Sequence, residues 1–102
     1  MDLGGNIELV GFKEIDSENM AIIKKRVSNF LKDYANIDAH FQRLVITLKR
    51  VHEREDHQVF ELQAKLSGKD VLNTDVNDRN LLVALDKALK KLQAQVEKRM
   101  HA

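Results

Sequence analysis

Apolar residues recur at every second position in the middle of this chain and at every third or fourth position on either side of it. No single backbone conformation satisfies both periods, so the chain must change secondary structure at least twice. Between residues 41 and 51, Leu44, Ile46 and Leu48 point one way while Arg43, Thr47 and Lys49 point the other. Phe60, Leu62, Ala64 and Leu66 alternate in the same manner with Glu61, Gln63 and Lys65. Each segment reads as a half-buried strand with one wet face. By contrast, Met20, Ile23, Val27, Phe30, Leu31 and Tyr34 make one helical stripe, and Leu81, Leu82, Leu85, Leu89, Leu92, Val96 and Met100 make a second, stronger one.

The remaining elements follow from local chemistry. Residues 6–12 combine β-favouring side chains with rough alternation and predict a first strand. The first helix is expected over residues 17–35, capped by Asp16 or Ser17 and stopped near Asn36 and Asp38. The wholly polar link at 52–58 has no glycine and predicts a mobile hairpin loop, whereas Ser67-Gly68-Lys69-Asp70 is a good turn into a short strand at 71–76. Asn77 or Asp78 is expected to cap the last helix. The order is β-α-β-β-β-α, an α+β fold with a four-stranded sheet and two helices packed on one face. The crossover through the first helix places the first two strands parallel and adjacent. With no repeat, no low-complexity stretch and no proline, residues 1–102 are expected to form a single domain frayed only at its ends.

Composition excludes several kinds of function. At 43% hydrophobic and 32% charged, the chain has no run near the ~20 apolar residues of a spanning helix. Its first residues do not form a secretory signal, so a cytoplasmic location with no membrane partner is expected. The absence of cysteine removes disulfides, thiolate zinc sites and thiol catalysis. His40, His52, His57 and His101 lack the spacing of a metal site, and the His52, Glu53, Glu55, Asp56, His57 cluster lacks the central glycine of a calcium loop. Ser17, Ser28 and Ser67 have no nucleophile-elbow context, and Gly4-Gly5 precedes the first strand where a phosphate loop would follow it. No catalytic set, cofactor, metal or small-molecule substrate is therefore expected, and the chain does not read as an enzyme.

What remains is the distribution of charge. The 17 basic and 16 acidic residues nearly cancel, yet from Arg79 onward six basic residues face only two acids. Lys87, Lys91 and Lys98 repeat at helical spacing as a stripe, with Lys90 and Arg99 beside it, and Lys24-Lys25-Arg26 lies beside the apolar stripe of the first helix. Such residues are either an ordinary solvated surface or, with two helices side by side, a cationic groove for phosphates.

The last strand and helix also carry a family resemblance. Ala84-Leu85-Asp86 and Lys91-Leu92 fall where the ribosome hibernation-promoting factor and ribosome-associated inhibitor A family (sigma-54 modulation proteins) shows Ala-Ile-Asp followed by Asp-Lys-Leu. Asn77-Asp78-Arg79-Asn80 corresponds to that family's acidic turn, and Glu14-Ile15-Asp16 to the approach to its first helix. The chain resembles a short member over about Asn6 to Arg99, and departs from the motif at Lys90, where the family has an acid, and near Ala94, where it has an arginine. The resemblance implies the β-α-β-β-β-α fold and a stress or stationary-phase factor that binds the small ribosomal subunit in its mRNA/tRNA channel and inhibits translation. It implies ribosomal RNA contacts at Lys87, Lys91 and Lys98, with Lys90, Arg99, Lys24, Lys25 and Arg26 as further candidates, and a monomer without the additional domain by which long members pair ribosomes. The alternatives are a general double-stranded RNA-binding module, or a regulatory protein-interaction module using the wet sheet face.

Overall fold

A computed structural model describes the backbone at residues 2–4, 6–37, 41–54 and 57–100, with side chains at 6–33, 41–50 and 59–98. In chain order the elements are β1 (Asp2–Gly4), β2 (Ile7–Val10), α1 (Ser17–Ile37), β3 (Arg43–Arg54), β4 (His57–Ser67), β5 (Val71–Asp78) and α2 (Leu81–Met100). The strands lie in the order β1-β2-β3-β4-β5. The four expected strands and two helices are present in the expected order. The short β1 is an addition, antiparallel to β2 at the sheet's outer edge.

β2 runs parallel to β3, with Ile7 opposite Leu44 and Val10 opposite Thr47, as the crossover requires. β3 and β4 then pair antiparallel, as do β4 and β5. This register sends Leu44, Ile46 and Leu48 of β3 to the same face as Leu62, Ala64 and Leu66 of β4 and Leu72 and Val76 of β5, and all are buried. Both helices cover that face. Ile23 and Val27 from α1 and Ala84, Leu85, Ala88 and Leu92 from α2 are each at most 1% exposed. At about 1.5–3 kcal/mol per buried large aliphatic side chain, this one layer dominates the favourable side of folding. Among the described residues no polar or charged side chain is buried, so the core contains no desolvated charge to compensate.

Several boundaries differ from expectation, each for a local reason. β2 stops at Val10 because Gly11 adopts a left-handed φ of +85° and turns the chain so that Phe12 enters the core. A β-carbon at Gly11 would overlap the Leu48 carbonyl oxygen. The polar segment at 52–58 is not simply a loop, because β3 continues to Arg54 and β4 begins at His57, with His52 opposite Gln58. Backbone pairing needs no apolar side chain, and Arg50 and Phe60, opposite one another, carry the hairpin outward. Residues 55 and 56 lie outside the described part, as do Asp38 and His40. α1 runs to Ile37, and β5 to Asp78 rather than to residue 76. Asp16 caps α1 through its Oδ2, which accepts the Asn19 N–H at 3.2 Å. Neither Asn77 nor Asp78 caps α2. That role belongs to Asn80, whose Oδ1 accepts the N–H groups of Leu82 at 2.9 Å and Val83 at 3.2 Å. Tyr34 and Met100 have side chains outside the described set, and no helix among the described residues is long and apolar enough to cross a membrane.

Gly11→Ala is expected to destabilise the fold by roughly 1–3 kcal/mol, since the new methyl meets backbone in a conformation that L-residues avoid. Chemical denaturation of the variant measures this directly, and a midpoint equal to that of the parent chain would contradict it.

Candidate nucleic-acid interface

The two helices approach each other along one side of each, and an ion pair marks where. Arg26 Nη1 donates to both carboxylate oxygens of Asp86, at 3.0 Å each. With ~100° of rotation per residue, Lys24 stands ~160° around α1 from Arg26 and Lys25 ~100° from it, so both lie away from this seam. On α2, Lys90 is only ~40° from Asp86, whereas Lys87, Lys91 and Lys98 lie ~100–140° from it, on the opposite flank.

That flank overhangs β5. Lys87 Nζ donates to Asp78 Oδ2 at 2.8 Å, Lys91 Nζ to the Asp75 carbonyl at 3.4 Å, and Gln95 Nε2 to the Asn73 carbonyl at 2.9 Å. Residues 87, 91 and 95 are successive members of an i, i+4 row, so one flank of α2 is stitched along the strand that precedes it. The anticipated groove between the helices is therefore not the arrangement found. Arg26 is neutralised across the seam by Asp86, while Lys87 and Lys91 form a separate row over β5. Lys24, Lys25, Lys90 and Lys98 are exposed, and none pairs with an acid among the described residues. The side chain of Arg99 lies outside the described set.

Two carboxylates in these contacts are shifted. The Lys87 ammonium, helped by the Asn80 N–H, holds the Asp78 carboxyl below its usual 3.8. The backbone N–H and side-chain amide of Asn19 do the same for Asp16. Asp78 thus has two tasks, since its Oδ1 accepts the Asn80 N–H at 2.9 Å and orients the residue that caps α2. Sequence spacing gives no sign of the Arg26–Asp86 pair, whose partners are 60 residues apart. Nor does it show that the Lys87 stripe has acceptors of its own in β5.

No family model matches the chain, and no curated protein matches it in sequence. Solved structures do match. A ribosomal subunit interface protein from Coxiella burnetii aligns with a TM-score of 0.55 at 11% identity, covering 95% of this chain and 97% of that one. The N-terminal domain of Protein Y from Thermus thermophilus aligns with a TM-score of 0.55 at 16% identity, covering 90% of this chain and 93% of that one. The fold is the one these two proteins share. Both belong to the ribosome hibernation-promoting factor family, the family that the sequence resembles.

The rest of the described surface offers little other chemistry. No group of three or more His, Asp or Glu able to hold a metal occurs among the described residues. The side chains of His40, His52, His57 and His101 lie outside that set. The wet face of β3, β4 and β5 carries a shallow depression lined by Val45, Thr47, Gln63, Lys65, Asn73 and Asp75.

Asp78 is expected to titrate below 3.8, and Lys87→Ala to raise its pKa. Because the folded carboxyl sits below its unfolded value, the stabilisation it provides is complete above that unfolded value and is lost as pH falls through the lower, folded one. Carboxyl chemical shifts followed through an acid titration of both chains check the direction. A Lys87→Ala curve superimposable on the parent would rule out the ion pair in solution.

Proposed function

We propose that this protein is a ribosome-binding hibernation factor. It would occupy the mRNA/tRNA channel of the small subunit in the cytoplasm under stress, and inhibit translation by steric occlusion without catalysing a reaction. The observation that carries the reading is the match to a ribosomal subunit interface protein along nearly the whole of both chains. The same family is reached separately from the residues around Ala84-Leu85-Asp86 and Lys91-Leu92.

The charge distribution supports an RNA partner met through phosphates. Lys90 and Lys98 on α2 and Lys24 and Lys25 on α1 are exposed and can reach phosphate without breaking an ion pair to a described residue. Lys87 must first leave Asp78, and Arg26 must leave Asp86. Lys91 gives up only a long bond to a carbonyl, which a charged phosphate oxygen outcompetes. We therefore rank Lys90, Lys91 and Lys98 as first contacts, with Lys24 and Lys25 next, and Lys87, Arg26 and Arg99 after them. Contacts of this kind fix position and read the shape of folded RNA without reading its sequence. The protein would act as a monomer, with no cofactor and no small-molecule substrate.

Cosedimentation with small subunits and whole ribosomes at two salt concentrations, with duplex RNA as the control, tests the reading. Saturable ribosome binding that survives moderate salt is expected. Equal affinity for plain duplex RNA would replace it with the general double-stranded RNA-binding module. The double charge reversal Lys90→Glu, Lys98→Glu is expected to weaken ribosome binding and to flatten its salt dependence by roughly 0.7–0.9 in slope for each phosphate no longer neutralised. Thermal unfolding should be nearly unchanged, and unaltered ribosome binding would exclude these two lysines as contacts.

A further inference from the structure

Near the starts of both helices, beside the outer part of the β3–β4 hairpin, lies a cavity of about 440 Å³, within the ~300–1,000 Å³ of small-ligand sites. None of the lysines of α1 or α2 lines it. Its apolar wall is Phe60, Ile15 and Leu82, each packed against the core and each left half-buried. Its polar wall is Arg50 and Arg79, the carboxylates of Glu14 and Asp16, and the amides of Asn19 and Asn80, with the Asp16 carboxylate already engaged by Asn19. Arg50 is fixed at two points: Nη1 donates to Glu14 Oε2 at 2.9 Å, and its guanidinium carbon lies 6.0 Å from the centre of the Phe60 ring. Arg79 is exposed and makes no ion pair with a described residue.

These groups together select a ligand class. A simple anion would use the guanidinium groups and leave the aromatic and aliphatic wall idle. An aliphatic ligand would fill the wall and leave Arg79 without a partner, Arg50 being already held by Glu14. A planar heteroaromatic ring that carries a phosphate uses both. The ring face meets Phe60 and the Arg50 guanidinium, the Glu14 carboxylate can accept from ring N–H groups, and Arg79 meets the phosphate.

We propose that this cavity binds one unstacked nucleoside monophosphate unit, its base against Phe60 and Arg50 and its phosphate on Arg79. The unit is either a free nucleotide or one residue of a single RNA strand. Only the second source rests on the ribosome-binding reading.

The test is an amide NMR titration of the full isotope-labelled chain with GMP, guanosine, inorganic phosphate and a short single-stranded oligonucleotide. GMP is expected to shift the amides of Arg50, Phe60 and Arg79 saturably. Phe60→Leu, which retains apolar bulk, is expected to weaken GMP about tenfold by removing the stacking surface. Arg79→Gln is expected to weaken GMP while leaving guanosine unchanged. The proposal is overturned if inorganic phosphate alone reproduces the GMP shifts, or if Phe60→Leu binds GMP as the parent does. Oligonucleotide shifts at the same residues assign the unit to an RNA strand, and shifts with GMP alone assign it to a free nucleotide. Ribosome cosedimentation with no shift from GMP or from the oligonucleotide removes the cavity and leaves the functional reading intact. GMP binding without cosedimentation does the reverse.

Discussion

β3 must satisfy two different partners at once, and the remainder of the molecule is arranged around that requirement. On one edge it takes β2 in parallel, and on the other it takes β4 in antiparallel. Parallel neighbours cannot be joined by a tight turn, so the chain between β2 and β3 must cross over the sheet. The α1 helix is that crossing, and its stripe is the cover for half of the apolar face. The close approach of Gly11 to the Leu48 carbonyl is where this demand is most severe, because the chain leaves β2 directly beside β3. β4 inherits its register from β3, β5 from β4, and α2 then closes the face that α1 leaves open.

The positive side chains are shaped by the same packing. Asp86 and Asp78 each engage one cation at the margins of the helical layer, and these pairs lie at least partly in solvent. Exposed pairs of this sort contribute little to stability. Their larger effect is to decide which cations stay available, since a paired guanidinium or ammonium meets a phosphate only after exchanging partners. The near-zero net charge of the chain therefore conceals an ordering among its basic residues that no count of charges reveals.

Much of the fold was legible because the sheet has one dry and one wet face. Leu44, Ile46, Leu48, Leu62, Ala64 and Leu66 alternate cleanly, and Ile23, Val27, Leu85 and Leu92 recur at helical spacing, so period alone assigned them. What escaped were features that side-chain polarity does not encode. The hairpin at 52–58 is built by backbone pairing in a segment with no apolar face. Asn80 caps α2 because the turn geometry brings its Oδ1 over the first amides, whereas Asn77 and Asp78 are equally suitable by type and are still within β5. The site was less legible than the fold. Lysine spacing groups Lys87, Lys91 and Lys98 along one flank, but only the tertiary structure shows that Lys87 and Lys91 overlook β5 and that Arg26 is held by Asp86 from a distant part of the chain.

The row of contacts from α2 to β5 has a consequence unrelated to any ligand. β5 ends the sheet, and the carbonyls of Asn73 and Asp75 that receive Gln95 and Lys91 are groups that a strand from another molecule would need in order to extend it. An uncovered edge is a template for intermolecular pairing. Lys91 and Gln95 occupy it, with a positive charge placed where a second sheet would dock. The helix that completes the core thus also covers this margin of the sheet, through two side chains that contribute nothing to its hydrophobic interior.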